Sequence, residues 1–281
     1  MSNTVATTPL TVTRAHGAGA DQMVMCAIDI GHDNPAYWIG SLASPHDTAL
    51  EDTGRDDGQW ALAFHAWSTS PLSADAPATA QQAELARRMT DERRRNVVTD
   101  WAIEQQLPHN RVTGRSENVG AYGLQSALVG ALVARPGTAT QRVYVRSPRH
   151  KFTVLGVDKR LLAKKAVRKR FATRLAGYYV DNYTHPSSPV RAIWRDAAPK
   201  QDDLADAFLM GATDLLELDA RAAQPRCAPL LADLRRQSQL LIAALSQPPA
   251  PRPAAAKQRK TTPGPAKQHK TTPGPAKKRA H

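Results

Sequence analysis

The sequence predicts an α/β domain, a mixed five-stranded sheet flanked by helices, followed by a disordered basic C-terminal tail. Three observations lead there. Short apolar runs open the chain in hairpin style and then alternate with helical periodicity; carboxylates sit inside two of those runs; and the last thirty residues hold Lys, Pro and Gly but no large apolar residue. At 281 residues and 41% apolar composition, the chain suffices for one sizeable domain with appendages.

Taken in order, Met23-Val-Met-Cys-Ala-Ile-Asp-Ile30 is an apolar run ending at Gly31 and reads as a buried strand. Asn34-Pro35 breaks it, and Ala36-Tyr-Trp-Ile39 reads as the return strand of a hairpin. Residues 41–73 are turn-rich and acidic except for Trp60-Ala-Leu-Ala-Phe-His-Ala-Trp67, the third strand. A helix is expected from about Ala78 to Arg95, and a fourth strand between Val97 and Gln106, centred on Trp101-Ala-Ile-Glu104. Ser116 is the expected cap of a helix to Ala134, whose Val119, Tyr122, Leu124, Ala127, Leu128, Ala131 and Leu132 recur at helical spacing. Arg142-Val-Tyr-Val145 is the fifth strand, a basic helix is expected from about Asp158 to Val180, and Asp202 opens a last core helix bearing Leu204, Phe208, Ala212 and Leu215. This order matches the RNase H-like arrangement, although order alone does not single it out among α/β folds.

Charge narrows the partners. The chain carries +13, of which nine charges lie from Arg252 onward, leaving +4 for residues 1–251. Within that body, Arg146 to Arg174 holds eleven Lys/Arg against one acid, Asp158. A compact basic stripe of this kind suits a polyanion better than general solubility. The tail repeats Lys257-Gln-Arg-Lys-Thr-Thr-Pro-Gly-Pro-Ala266 as Lys267-Gln-His-Lys-Thr-Thr-Pro-Gly-Pro-Ala276. It resembles linker-histone tails, implying phosphate contact or nuclear import. No window approaches the roughly 18 apolar residues of a membrane span. The first twenty residues lack a secretory apolar segment, and Arg14 is thin support for a mitochondrial presequence. Cys26 and Cys227 have no metal-ligand spacing and read as inert thiols of a reducing compartment.

The acids carry the chemistry. Asp29 and Glu104 lie inside apolar strands, where a carboxylate is costly unless paired or metal-bound. Asp202-Asp203-Leu-Ala-Asp206 sets three carboxylates at a helix start, with Asp203 and Asp206 three apart on adjacent turns. Each has an ordinary explanation alone, such as an arginine partner or the helix dipole. Together they form a more specific pattern, able to hold two ions.

Several of these motifs resemble a known family. Ile28-Asp-Ile-Gly-His-Asp-Asn-Pro-Ala36, Ala102-Ile-Glu-Gln-Gln106 and Lys200-Gln-Asp-Asp-Leu-Ala-Asp-Ala207 are similar, in order, to the acidic motifs of RuvC-like Holliday junction resolvases of the poxvirus and mitochondrial type. Ser147-Pro-Arg-His-Lys151 resembles the family's Pro-x-x-Lys segment, and Lys164 and Lys165 stand where a second basic position is expected. The resemblance runs from about Met25 to Leu216; residues 41–73 and the tail depart from it. It implies a structure-selective endonuclease that cuts four-way and related branched DNA by two-metal phosphodiester hydrolysis. Asp29, Glu104, Asp203 and Asp206 are the implied catalytic and metal-holding residues, with Asp202 in reserve and Lys151 at the scissile phosphate. Two Mg²⁺ ions per site are implied, with Mn²⁺ substituting. DNA contacts are expected from Arg149, Lys151, Lys159, Lys164, Lys165, Arg168, Lys169 and Arg170.

A two-fold junction calls for a homodimer with one site per subunit. The Ser116–Ala134 helix, interrupted by Gly120, Gly123 and Gly130, is a candidate dimer surface or ordinary sheet-covering core. Tyr178, Tyr179 and Tyr183 are candidates for base stacking or core packing. The expected organisation is a flexible leader at 1–22, a nuclease domain at 23–222, a helical extension at 223–250 and the tail at 251–281. The nucleus or a viral replication site is the expected compartment, ahead of the mitochondrion. Two rivals stay open: an RNase H-type enzyme on RNA–DNA hybrids, and a non-catalytic architectural DNA-binding protein. An actin-type ATPase ranks last, because the phosphate-binding glycine clusters it needs are missing.

Overall fold

The computed structural model describes residues 23–31, 34–44, 60–73, 75–109, 118–134, 142–158, 160, 162–198 and 200–246. The leader, the tail, His32, Asp33, Ser116, Lys159 and residues 45–59 of the acidic insert lie outside these residues. Five strands, β1 (Val24–Asp29), β2 (Ala36–Ala43), β3 (Ala61–Thr69), β4 (Asp100–Glu104) and β5 (Arg142–Arg146), form one sheet in the order β3-β2-β1-β4-β5. β2 runs antiparallel to β1 and β3, whereas β1, β4 and β5 run parallel. This is the RNase H-like topology that the element order anticipates.

The period-two alternation of the strands divides the core. Cys26, Ile28, Trp101 and Ile103 face one side, where α1 (Ala78–Asn96) and α2 (Val119–Val133) cover them with Leu85, Met89, Leu124, Leu128 and Leu132. Met25, Ala27, Trp38 and Ala102 face the other side. They meet α6 (Gln201–Ala220), behind which lie α4 (Lys165–Tyr183) and α7 (Ala228–Ser246). Two short helices complete the set, α3 (His150–Val154) and α5 (Pro189–Asp196), the latter capped by Ser188, whose Oγ accepts from the Val190 N–H at 3.3 Å.

Some boundaries differ from expectation. β2 continues to Ala43 because a bulge at Ile39/Gly40 keeps it paired with β3. A Cβ on Gly40 would stand 2.4 Å from the Ala63 carbonyl oxygen, so only glycine fits there. α2 starts after Asn118, not Ser116. The basic helix starts at Lys165, seven residues later than expected, after a turn in which the Ala163 N–H bonds to the Arg160 carbonyl at 3.3 Å. α6 starts one residue before Asp202.

α6 lies unusually close to the sheet. A Cβ on Gly211 would meet the Trp38 ring at 2.4 Å and the Ala27 Cβ at 2.8 Å. Trp67 Nε1 donates to the Leu204 carbonyl at 3.0 Å, which pins the first turn of the helix beside β3. Tyr179 is fully buried and its hydroxyl accepts from the Leu62 N–H at 2.9 Å; Tyr183 is also buried and donates to Asp233 at 2.5 Å. Both tyrosines are therefore core residues, not stacking platforms.

Candidate active site

The parallel register of β1 and β4 pairs Ile28 with Ile103, so the next residues, Asp29 and Glu104, stand level on the face that meets α6. β4 and β5 pair Glu104 with Arg146, which places Arg146 on the same row. The row lies at the carboxyl ends of the parallel strands, where open α/β sheets place their ligands. Just past Asp29 the chain turns sharply, with the Gly31 N–H bonded to the Asp29 carbonyl at 3.2 Å. A side chain on Gly31 would come within 2.8 Å of the Asn34 carbonyl oxygen. Glu104 accepts from Gln106 Nε2 at 3.0 Å, and the Gln106 N–H donates to Gln125 Oε1 of α2 at 2.5 Å.

From α6, Asp206 completes the cluster, and Lys151 enters from α3. Lys151 is 5% exposed and its Nζ lies 2.6 Å from Asp206 Oδ1. Burial and the negative charges of Glu104 and Asp206 push the Asp29 carboxyl well above the usual carboxylate range, and the Lys151 charge only partly offsets them. Burial pulls the Lys151 ammonium down, but Asp206, Glu104 and Asp29 outweigh it and raise its pKa. Three carboxylates thus share one buried cation, an excess of negative charge that a divalent metal would neutralise. This all-oxygen donor set fits Mg²⁺ chemically.

Asp202 and Asp203 have a different neighbour. Lys169 of α4 pairs with Asp202, and its Nζ lies 3.6 Å from Asp203 Oδ1; Lys200 reaches Asp203 at 4.0 Å. Burial and the Asp202 charge raise the Asp203 carboxyl, opposed by the two lysines. Among the basic residues singled out by sequence, Arg149, Lys164, Lys165 and Arg170 are exposed. Arg168 folds back onto the Leu162 and Ala163 carbonyls at 3.1 and 3.0 Å.

Sequence reasoning did not single out Arg146, Gln106, His150, Asp214 or Glu217. Among the described residues, the last three form the group of metal-ligating side chains whose donor atoms lie within 4.8 Å of one another. The available signals were the Asp214–Glu217 spacing of three on α6 and the place of His150 beside Lys151. No helix among the described residues is long and apolar enough to cross a membrane.

No protein-family profile and no curated protein matches the chain. Among solved structures it is similar to T. thermophilus RuvC in complex with Holliday junction substrate, at 18% identity over 73% of this chain and 99% of that one, TM-score 0.42. A second Thermus thermophilus RuvC structure is similar at 18% identity, 71% and 96% coverage and TM-score 0.39. The yeast mitochondrial Holliday junction resolvase is similar at 15% identity over 78% of this chain and 84% of that one, with a TM-score of 0.47.

Proposed function

We propose that the chain is a divalent-metal-dependent endonuclease that cuts four-way and related branched DNA junctions. The observation that carries this reading is the meeting of Asp29, Glu104 and Asp206 around buried Lys151 at the carboxyl ends of β1 and β4. Asp29, Glu104 and Asp206 are the residues that would hold two Mg²⁺ ions, or Mn²⁺ in their place, with Asp203 joining from the same helix and Asp202 in reserve. Such ions, when bound, activate water and stabilise the leaving 3′-oxygen.

The remaining work falls to the protein. Lys151 holds Asp206 in place and offsets charge developing at the scissile phosphate. Gln106 orients Glu104. Arg149, Lys164, Lys165, Lys169 and Arg170 provide phosphate contacts for the arms of the junction, with Arg168 and Lys159 in the same stripe. The two-fold symmetry of a junction favours a homodimer.

The test is cleavage of a synthetic four-way junction beside matched duplex, flap and RNA–DNA hybrid, with Mg²⁺ and with EDTA, for wild type and Asp29→Asn. Paired symmetric nicks, lost with EDTA and reduced at least about 100-fold in Asp29→Asn, are the expected result. Preferential cutting of the hybrid would move the chain to the RNase H-type reading. Junction binding without cutting would leave only the architectural one.

A further inference from the structure

Eight residues beyond Asp206 on α6, about 12 Å along the helix, lies a second cluster that the nuclease reading does not use. His150 Nε2 of α3 is 2.9 Å from Asp214 Oδ1 and 3.1 Å from Glu217 Oε2. Asp214 is completely buried. His150 Nε2 and Asp214 Oδ1 are both sealed from solvent and are not aligned as donor and acceptor, although Asp214 and Glu217 beside the imidazole raise its pKa. A proton on His150 is therefore the competitor that a bound ion would have to displace. Ligand atoms around a shared ion do lie close without facing each other as donor and acceptor: bonds of about 2.0–2.1 Å in a tetrahedral site put them roughly 3.3 Å apart.

The outer atoms of both acids are already held. Arg146 Nε donates to Asp214 Oδ2 at 2.9 Å, and Arg221 Nη2 donates to Glu217 Oε1 at 2.7 Å. Each carboxylate therefore keeps one oxygen turned toward His150, the arrangement in which surrounding hydrogen bonds aim ligands at a metal.

We infer that His150, Asp214 and Glu217 form a binding site for a divalent transition ion of the zinc class, distinct from the Asp29 cluster. One imidazole nitrogen with two carboxylate oxygens suits such an ion better than Mg²⁺, which prefers oxygen alone. With three protein ligands, a fourth position is left for water. Its role is to tie α3 to α6. Lys151, the next residue after His150, is thereby positioned against Asp206.

The test is calorimetric titration of the full chain with Zn²⁺, after EDTA treatment and exchange into Mg²⁺ buffer that leaves oxygen-only sites to the harder ion. Wild type is compared with His150→Gln and Glu217→Gln, each checked for folding by circular dichroism. One Zn²⁺ per chain is expected, weakened at least 10-fold in both variants. Co²⁺ substitution gives visible absorption bands in wild type that disappear in His150→Gln. Wild type with no such site, or Zn²⁺ affinity unchanged in Glu217→Gln, overturns the inference. Glu217, a quarter exposed, keeps the test valid if the His150 variant fails to fold. Neither result depends on nuclease activity.

Discussion

Lys151 is the residue on which the carboxylate cluster balances. It is nearly buried and it faces Asp206, Glu104 and Asp29 together. Replacing it with Met removes the cation but leaves the acids behind, and uncompensated buried charge is expensive. Lys151→Met is expected to lose about 3 kcal/mol in urea unfolding measured with EDTA, and Mg²⁺ is expected to restore part of that loss. Asp29→Asn acts in the opposite direction. Its carboxyl is strained by burial and by Glu104 and Asp206, so the variant should melt no lower than wild type while cleavage disappears. A thermal melt alongside the junction assay separates the two effects. Asp100 makes a useful contrast. It too is a buried acid in β4, but Arg142 Nε and Nη2 clasp its carboxylate at 2.7 and 3.2 Å, and it needs no metal.

At the scale of elements, α6 decides the site, because it carries Asp206 and lies flat on the sheet only through Gly211. Gly211→Val puts methyl groups where Trp38 and Ala27 already sit. It is expected to cost about 3 kcal/mol and to reduce cleavage even with saturating Mg²⁺, measured by unfolding and by the junction assay. α7 is fixed to α4 by Asp233, which accepts from Tyr178 at 2.8 Å, Tyr183 at 2.5 Å and Arg236 at 2.5 Å. Burial alone would raise its carboxyl, but the donors from Tyr183, Tyr178 and Arg236 outweigh it and hold the pKa below the usual range. A depressed carboxylate pKa stabilises the fold fully above the unfolded value of about 3.9. That contribution is lost as pH falls through the lower folded value. Asp233→Asn should therefore cost about 1–2 kcal/mol at pH 7. The difference from wild type should shrink below about pH 4, as urea unfolding at both pH values would show. The periodicity of the apolar residues was enough to locate β1 to β5, α1 and α6. It could not reveal α3, which is five residues long and whose stability comes from packing on α6.

For the whole molecule, charge is the organising quantity. Nine of the thirteen net positive charges belong to the tail from Arg252 onward, and charge neutralisation of phosphates sets salt dependence. Removing residues 251–281 should flatten the slope of log affinity against log salt for four-way DNA while leaving the positions of the cuts unchanged. Binding titrations at several salt concentrations, with cleavage mapping, test both halves of that expectation. An unchanged slope would mean that the stripe from Arg149 to Arg170 supplies the phosphate contacts by itself.

The sequence by itself determined the order and type of the sheet elements, since apolar periodicity reports which face of a strand or helix is buried. It also marked Asp29 and Glu104, because acids inside apolar strands are anomalous against their neighbours, whereas Asp206 stood out only as part of an acidic pattern and Lys151 only through a motif resemblance. Only the tertiary structure decided which of these charges meet. Lys169 faces Asp202 and Asp203 across α4 and α6, and His150 faces Asp214 and Glu217 across α3 and α6. Asp100 finds Arg142 across adjacent strands. Partners separated by tens of residues are chosen by strand register and helix packing, and no local pattern records that choice. The same limit explains why an acid answered by arginine, such as Asp100, and an acid set among other acids, such as Asp29, read alike in the chain.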